Sequence, residues 1–397
     1  MTNMRSLLAL AFVLLLCGAV LPADDGPLSH WKSGVKVGPV SDSEQHSIHA
    51  YFNTSPESPD GRWVLFYASQ TPEGHHGEIV IRERATGNEQ VLAKRVSVED
   101  AHRAACQQWL SGGKRVAYHA VLDDGTCYVY VVDLEPRFVH ELTQGRQIGV
   151  GQPRHDLLPL YGPHWNPGQH RGLELLNVAT RKIEATDLTP EAIQAAYPDW
   201  IAKQFGDEPI SLFFPLLSPD ASRVLFKLAA PAGGDFRSAQ ASQRLGLFGY
   251  DLKNSRFLFQ QASWGHPAWH PNSRDVLNTN GRVTNSDTGQ VSLLPGRNRF
   301  PGSHPSYSPD GKLFATDVQL GEEPFDGPSG SWAVVVGDVS TGEFVQLHQF
   351  DNSQGARSWR VSHPHPAFSP DGRRLYFNVS DGKWTRLFVA EAAQPES

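Results

Sequence analysis

The sequence predicts an all-β protein, a seven-bladed β-propeller, from a turn motif that recurs along the chain. The tetrapeptide Ser-Pro-Asp-Gly, or a near copy, begins at Ser58, Ser218, Ser308 and Ser369, and alternating apolar runs follow it. Weaker copies at 110–113, 166–168 and 270–273 fill the gaps and give seven units roughly 52 residues apart. A turn between short period-two runs is typical of a β-hairpin. Hairpins repeated without long helices predict a radial array of blades.

Composition agrees with one turn-rich domain. The 397 residues include 36 Gly and 29 Pro, and 39% of the chain is hydrophobic. Seven four-stranded blades would use residues 24–397 as a single body. The net charge of −7 argues against generic binding to nucleic acid.

Residues 1–23 have the pattern of a secretory signal peptide. Arg5 precedes an apolar run at 7–16, and Ala23 stands at the expected cleavage site. The run is too short to span a bilayer comfortably, so we expect no membrane span and a periplasmic or secreted protein. Cys17 is a poor lipoprotein acceptor because Leu16, not a small residue, precedes it.

Two features modify the blades. Residues 35–37 alternate and are expected to pair with 386–389, which would close the ring by joining both termini in blade 7. Between blades 3 and 4, Thr189 followed by Pro190 is a helix start, which predicts a short helical insertion near 189–205. Cys106 and Cys127 fall two strands apart in blade 2, too far for a disulfide, and are expected to be buried thiols.

Aligning the blades on their turns brings histidines together. His266, His304 and His365 stand four residues before the turns of blades 5, 6 and 7, at the predicted start of each innermost strand. His363 lies two residues before His365 and projects from the same side of its strand. Four imidazoles from three neighbouring blades are therefore expected to converge on one mouth of the channel.

Such a group suits a divalent transition metal ion, and an imidazole outside the metal shell can act as a general base. The alternative is that histidine before the inner strand is a repeat residue that hydrogen-bonds a neighbouring blade. A structural histidine of this kind should recur in most blades. The aligned position instead holds Thr54, Cys106 and Phe214 in blades 1, 2 and 4, which favours a site confined to one side of the mouth.

The segments 363–372, 304–311 and 265–269 resemble the oligogalacturonate lyases, seven-bladed propellers that cleave pectin fragments. The resemblance implies β-elimination of uronic-acid oligosaccharides at a manganese-type ion. It also implies that His304, His363 and His365 are metal ligands and that His266 is the base.

The resemblance is incomplete at two positions. Where it implies a ligating glutamine, the chain has Arg360, whose guanidinium cannot bind a cation. Either water completes the metal shell, or no metal is bound and Arg360 meets the anionic substrate. The arginine that binds the substrate carboxylate in this family has no clear counterpart, and Arg237 in the blade 4 loop is the candidate.

Other basic residues are candidates for the opposite rim of this mouth. His102, Arg103 and His155 are predicted to precede their inner strands by longer intervals and to contact an anionic ligand. A second interpretation of the chain is a non-catalytic periplasmic propeller that resembles TolB and binds protein partners. The sequence leaves the sugar, its linkage and the oligomeric state open.

Overall fold

Seven small sheets form the molecule, and each contains four antiparallel strands. The computed structural model describes residues 26–296, 301–321, 325–328 and 330–393. The first strands of the fifth, sixth and seventh blades contact one another, which places the first strand of a blade innermost. The predicted seven-bladed β-propeller is confirmed. The predicted signal peptide at 1–23, with Cys17, lies outside the described residues.

The strands follow the chain order of the blades. The chain begins with helix α1 (Ser29–Lys32) and strand β1 (Lys36–Pro39). Blade 1 contains β2 (His46–Ile48), β3 (Trp63–Ser69), β4 (His76–Glu83) and β5 (Glu89–Ser97). Blade 2 contains β6 (Gln108–Leu110), β7 (Arg115–Val121), β8 (Cys127–Leu134) and β9 (Arg137–Gln144). Blade 3 contains β10 (Gln147–Ile148), β11 (Leu157–Tyr161), β12 (Glu174–Asn177) and β13 (Lys182–Ala185).

The second half continues in the same way. After helices α2 (Pro190–Ala196) and α3 (Pro198–Phe205), blade 4 contains β14 (Ser211–Leu217), β15 (Arg223–Pro231), β16 (Ser242–Asp251) and β17 (Arg256–Gln261). Blade 5 contains β18 (Ala268–Trp269), β19 (Asp275–Asn278), β20 (Arg282–Asn285) and β21 (Val291–Leu293). Blade 6 contains β22 (Ser306–Tyr307), β23 (Leu313–Gln319), β24 (Trp332–Asp338) and β25 (Phe344–Phe350). Blade 7 contains β26 (Ala367–Phe368), β27 (Arg374–Val379), β28 (Arg386–Glu391) and the N-terminal β1.

The recurring tetrapeptide is the turn between the two innermost strands of a blade. The weaker copy predicted at 166–168 was wrong, because these residues lie between β11 and β12, and the inner turn of blade 3 is 149–156. Ser369 Oγ donates to Asp371 Oδ1 at 2.6 Å and accepts from the backbone N–H of Arg374 at 3.0 Å. Ser308 makes the same two contacts in blade 6. The fourth position needs a positive φ, which is 73° at Gly372 and 56° at the near copy's Ala221. Glycine adopts this conformation without steric cost, which explains its recurrence there.

The ring closes through its termini. β1 pairs antiparallel with β28, with Val37 opposite Ala390, so the predicted closure is confirmed. Beside it, Arg374 of blade 7 makes a two-point ion pair with Glu57 of blade 1, at 2.7 and 2.8 Å. The N-terminal strand is therefore the outermost strand of the last blade and holds the two ends of the chain together.

The segment between blades 3 and 4 contains helices α2 and α3. Thr189 caps α2 by accepting a hydrogen bond from the backbone N–H of Ala192. Ile193 and Ile201 are buried against the sheets of the neighbouring blades. In blade 2, Cys106 and Cys127 are buried free thiols, as predicted.

Candidate metal centre

The candidate site lies where the chain enters the innermost strands. His266, His304 and His365 each stand two residues before the inner strand of their blade. Because the inner strands run from these histidines toward the Ser-Pro-Asp-Gly turns, the histidines share one mouth of the channel. His365 adopts a φ of 49°, a costly backbone conformation for a residue with a Cβ atom. Cys106 and Phe214, at the aligned positions of blades 2 and 4, adopt the same conformation with φ of 54° and 52°, so it is a feature of the repeat.

Four imidazoles meet at this mouth. The potential ligand atoms of His102, His304, His363 and His365 all lie within 4.8 Å of one another. Ligands bound at roughly 2.1 Å on opposite sides of an ion would be about 4.2 Å apart, so the separation is close to that of a metal site. The structure brings His102, predicted as a substrate contact, into the same cluster as the three predicted metal ligands.

Hydrogen bonds fix which nitrogen of two histidines faces the cluster. His304 Nδ1 donates to Asp317 Oδ2 at 2.8 Å, and His102 Nδ1 donates to the carbonyl oxygen of Val361 at 3.1 Å. The His102 ring therefore carries its proton on Nδ1 and turns the Nε2 lone pair toward the cluster. The His304 ring does the same when Asp317 is ionised, and burial raises the pKa of that carboxyl to about 7. A hydrogen bond from the second ring nitrogen to a carboxylate or carbonyl is the usual support of a metal-binding histidine.

The remaining two rings also fit a bound cation. Both ring nitrogens of His365 are buried without a hydrogen-bond partner in the described residues. His363 Nδ1 lies 3.5 Å from His304 Nε2. Burial lowers the pKa of His304 to about 3 and that of His363 to about 4, so both imidazoles are neutral and able to act as ligands. A cation would satisfy the buried lone pairs that the protein leaves unpaired.

His266, the predicted base, lies beside the cluster. Its ring centroid is 4.2 Å from that of His304, and its Nδ1 is 3.3 Å from the hydroxyl of Thr279. Burial lowers the pKa of His266 well below its usual value, and His304 and Lys227 lower it further. The imidazole is therefore neutral at physiological pH, as a proton acceptor must be.

Arg360 contacts an acidic side chain. Its guanidinium bonds to Asp100 Oδ2, at 2.8 Å from Nη2. Asp100 in turn accepts from the backbone N–H groups of His102 and Arg103. Arg360 thus connects blade 7 to the segment that carries His102, and it places a positive charge near the cluster that lowers the pKa of His304.

Arg103, a predicted substrate contact, is buried. Its guanidinium bonds to Glu99 at 3.2 Å and to the hydroxyl of Tyr161 at 3.2 Å. It also lies over the ring of Phe214, 4.8 Å from the centroid. Arg103 therefore contributes structural contacts and positive potential beneath the mouth.

Two predicted site residues lie outside the cluster. Arg237 bonds to Asp123 Oδ1 at 2.9 Å and to the carbonyl oxygen of Val98, which ties the blade 4 loop to blades 1 and 2. The placement of His155 before its inner strand was wrong, because Gln147–Ile148 is the inner strand of blade 3 and His155 follows it. His155 instead lines a cavity at the opposite mouth, together with Pro309 of a turn.

Sequence reasoning missed two basic residues of blade 4 near the histidines. Lys227 is buried on β15, with its Nζ 5.0 Å from the ring centroids of Phe213 and Trp264. Arg244 on β16 lies over the ring of Trp359, and its Nη1 has no hydrogen-bond partner. Within the described residues, no ion pair joins Lys227 or Arg244 to an acidic side chain. Both residues lie in the β15–β16 hairpin, outside the recurring turn motif. Aligning the blades on that motif therefore could not identify them.

The fold and this site define a seven-bladed propeller with a candidate metal centre at one channel mouth. Comparison with protein-family models and with curated protein sequences found no match. Comparison with solved structures found an oligogalacturonate lyase from Vibrio parahaemolyticus, at a TM-score of 0.62 and 15% identity, covering 91% of this chain and 94% of the other.

A structure described as oligogalacturonate lyase in complex with manganese is similar at a TM-score of 0.63 and 16% identity, with 91% and 94% of the two chains covered. TolB from Acinetobacter baumannii matches at a TM-score of 0.41 and 14% identity, over 84% of this chain and 82% of the other, too distantly to bear on function. The fold is thus shared with the lyase structures, as the sequence resemblance predicted. Within the described residues, the helices are all too short or too polar to cross a bilayer.

Proposed function

We propose that this protein is a polysaccharide lyase that cleaves uronic-acid oligosaccharides by metal-assisted β-elimination. The observation that carries the proposal is the convergence of four imidazoles at one channel mouth, where both ring nitrogens of His365 are buried without a partner in the described residues. The shared fold with oligogalacturonate lyase structures, one of them in complex with manganese, supports the class of reaction.

The metal would be held by the four clustered histidines, with His102 as the fourth protein ligand, because Arg360 occupies the position where the resemblance implied a ligating glutamine. The ligand set suits a divalent transition ion, and we propose manganese because the similar lyase structure contains it. When bound, the ion would neutralise the uronate carboxylate and so increase the acidity of the adjacent C–H group.

The residues around the cluster have separate roles in the reaction. His266 takes the proton from the carbon next to the carboxylate, the electron pair forms the new carbon–carbon double bond, and the glycosidic oxygen leaves with a proton from water. Lys227 and Arg244, which lack acidic partners in the described residues, stabilise the charge that develops on the carboxylate. Burial and the neighbouring arginines lower the pKa of Lys227, so an anionic substrate would supply its missing counter-charge.

We also propose that the protein acts in the periplasm or outside the cell. The support is the signal-like pattern of residues 1–23. Cell fractionation with N-terminal sequencing of the mature protein tests it, and an intact N-terminus on cytoplasmic protein would contradict it.

The enzymatic proposal is tested with a panel of uronate polysaccharides and oligosaccharides. Cleavage would be followed by the near-ultraviolet absorbance of the unsaturated product, with and without a chelator, and with manganese restored. We expect a signal that the chelator abolishes and that His266→Ala lacks. No signal on any substrate, from folded protein with bound metal, would overturn the proposal and favour a binding protein.

A further inference from the structure

Three side chains from different blades form a hydrogen-bonded line beside the candidate metal centre. Ser242 Oγ lies 2.7 Å from His164 Nδ1, and His164 Nε2 lies 3.1 Å from Glu99 Oε1. His164 is fully buried, and Ser242, the first residue of β16, is 6% exposed. The lyase reaction proposed above uses none of these three groups.

The carboxylate determines the direction of both hydrogen bonds. Burial alone would raise the pKa of Glu99, but His164, Arg103 and Arg360 hold it below its usual value, so Glu99 is ionised. Burial lowers the pKa of His164 more than Glu99 raises it, and the imidazole is neutral. An ionised carboxylate only accepts, so the single ring proton lies on Nε2. Nδ1 therefore accepts from the hydroxyl of Ser242.

This is the arrangement of an activated nucleophile: a hydroxyl, a neutral imidazole that can take its proton, and a carboxylate that orients and stabilises the imidazole. The recognition of such a triad depends on geometry and not on the order of residues in the sequence. The contacts come from the start of blade 2, from the β11–β12 connection of blade 3 and from blade 4, which explains why no local motif revealed them.

A donor for a developing oxyanion is close by. Arg244 is two residues after Ser242 on β16, so both side chains project from the same face of the strand. Among the residues that the structure describes, its Nη1 is buried without a partner, and its guanidinium lies 5.6 Å from the ring centroid of Trp359. The nitrogen of the Trp359 indole is also buried without a partner. Unpaired donors of this kind favour a ligand that brings an oxygen acceptor.

We propose that Ser242, with His164 as its base and Glu99 as the orienting carboxylate, is the nucleophile of an esterase site that hydrolyses alkyl esters of uronic acids. Ser242 Oγ attacks the ester carbonyl carbon and its proton moves to His164 Nδ1. The alcohol leaves with that proton, and water then hydrolyses the acyl-serine to release the acid. The choice of a uronic ester rests on the proposed function, since removing the ester would generate the free carboxylate that the lyase reaction needs.

The purified protein would be treated with a fluorophosphonate probe, and the adduct would be mapped by peptide mass spectrometry. We expect a single adduct on Ser242. Hydrolysis of 4-nitrophenyl acetate, and methanol release from a methyl-esterified uronate oligosaccharide, should fall about 100-fold in Ser242→Ala and in His164→Gln. The matched control is Ser238→Ala in the adjoining loop, whose hydroxyl donates to the Asp235 carbonyl oxygen and contacts no histidine in the described part of the chain.

A chelator separates this activity from the lyase reaction, because ester hydrolysis should persist without metal. Labelling of the wild-type protein does not depend on whether a variant folds, and circular dichroism would confirm folding of the variants. An unlabelled Ser242 in folded wild-type protein, or equal ester hydrolysis in folded Ser242→Ala, would overturn the proposal. If the wild-type protein hydrolyses esters through Ser242 but cleaves no uronate substrate, the proposed lyase function is wrong and the esterase site is still supported.

Discussion

Asp317 Oδ2 lies 2.8 Å from His304 Nδ1, and Asp317 also accepts from the backbone N–H groups of His304 and His365. One buried carboxylate of blade 6 thus orients the imidazole of His304 and anchors the backbone of His365 in the neighbouring blade. The ring of His304 is held with Nε2 toward the cluster, and the strained backbone of His365 is held in place.

Replacing this carboxylate should therefore weaken metal binding without removing a ligand. Asp317→Asn is expected to reduce manganese affinity by about 10- to 100-fold, the usual effect of losing such a support. Isothermal titration with manganese measures it. Asp326→Asn, an exposed aspartate of the same blade, is the matched control. Unchanged affinity in folded Asp317→Asn would show that the hydrogen bond does not serve a metal.

The structure adds His102 to the three histidines that were predicted as metal ligands. Its Nε2 faces His304, His363 and His365, so His102→Ala should reduce manganese affinity at least about tenfold. Metal content after dialysis and lyase rate would be compared with those of His155→Ala, which changes a histidine at the opposite mouth. If His102→Ala retained full occupancy while the substrate KM rose, His102 would be a substrate contact.

The blade repeat made much of the site predictable, because residues that precede equivalent strands must meet at one mouth. His266, His304 and His365 follow from that rule. His102 does not, since three residues separate it from the aligned position, where Cys106 stands, and only the folded β5–β6 connection brings its ring to the cluster. Lys227, Arg244 and Asp317 lie on second and third strands, where the alternation of apolar residues carries no sign of which polar side chain faces the mouth.

Lys227 should illustrate a conflict between stability and function. The Lys227 amine is buried between two aromatic rings without an acidic partner in the described residues, and burial lowers its pKa well below the usual value, so Lys227→Met is expected to raise the Tm by about 2 °C. The same change removes a charge proposed to meet the substrate, so kcat/KM for uronate cleavage should fall about 100-fold. Calorimetry and steady-state kinetics measure the two effects.

Lys227→Arg and an exposed lysine variant, Lys253→Met, complete the comparison. Lys227→Arg retains the charge and should recover part of the activity. A fall in Tm for Lys227→Met, together with unchanged kinetics, would indicate that Lys227 packs the core and takes no part at the site.

Acid should destabilise the fold through its buried histidines. Burial lowers the pKa of His46 to about 4, and its Nδ1 accepts from the backbone N–H of Thr385 at 2.9 Å, beside the ring closure. Because the folded-state pKa lies below the unfolded value of about 6.5, the unfolded state binds a proton first as the pH falls. The contribution of His46 is complete above pH 6.5, declines between about pH 6.5 and 4, and amounts to roughly 3 kcal/mol.

His46→Asn isolates this effect, since the asparagine Oδ1 can accept the same hydrogen bond and does not titrate. The loss of Tm between pH 7 and pH 5 should be smaller in His46→Asn than in the wild type, and His76→Asn, at an exposed position, should behave as the wild type. Thermal denaturation across this range measures the difference. Equal pH dependence in all three proteins would mean that other buried histidines, such as His49 and His119, account for the acid sensitivity, because burial lowers the pKa of each to about 3.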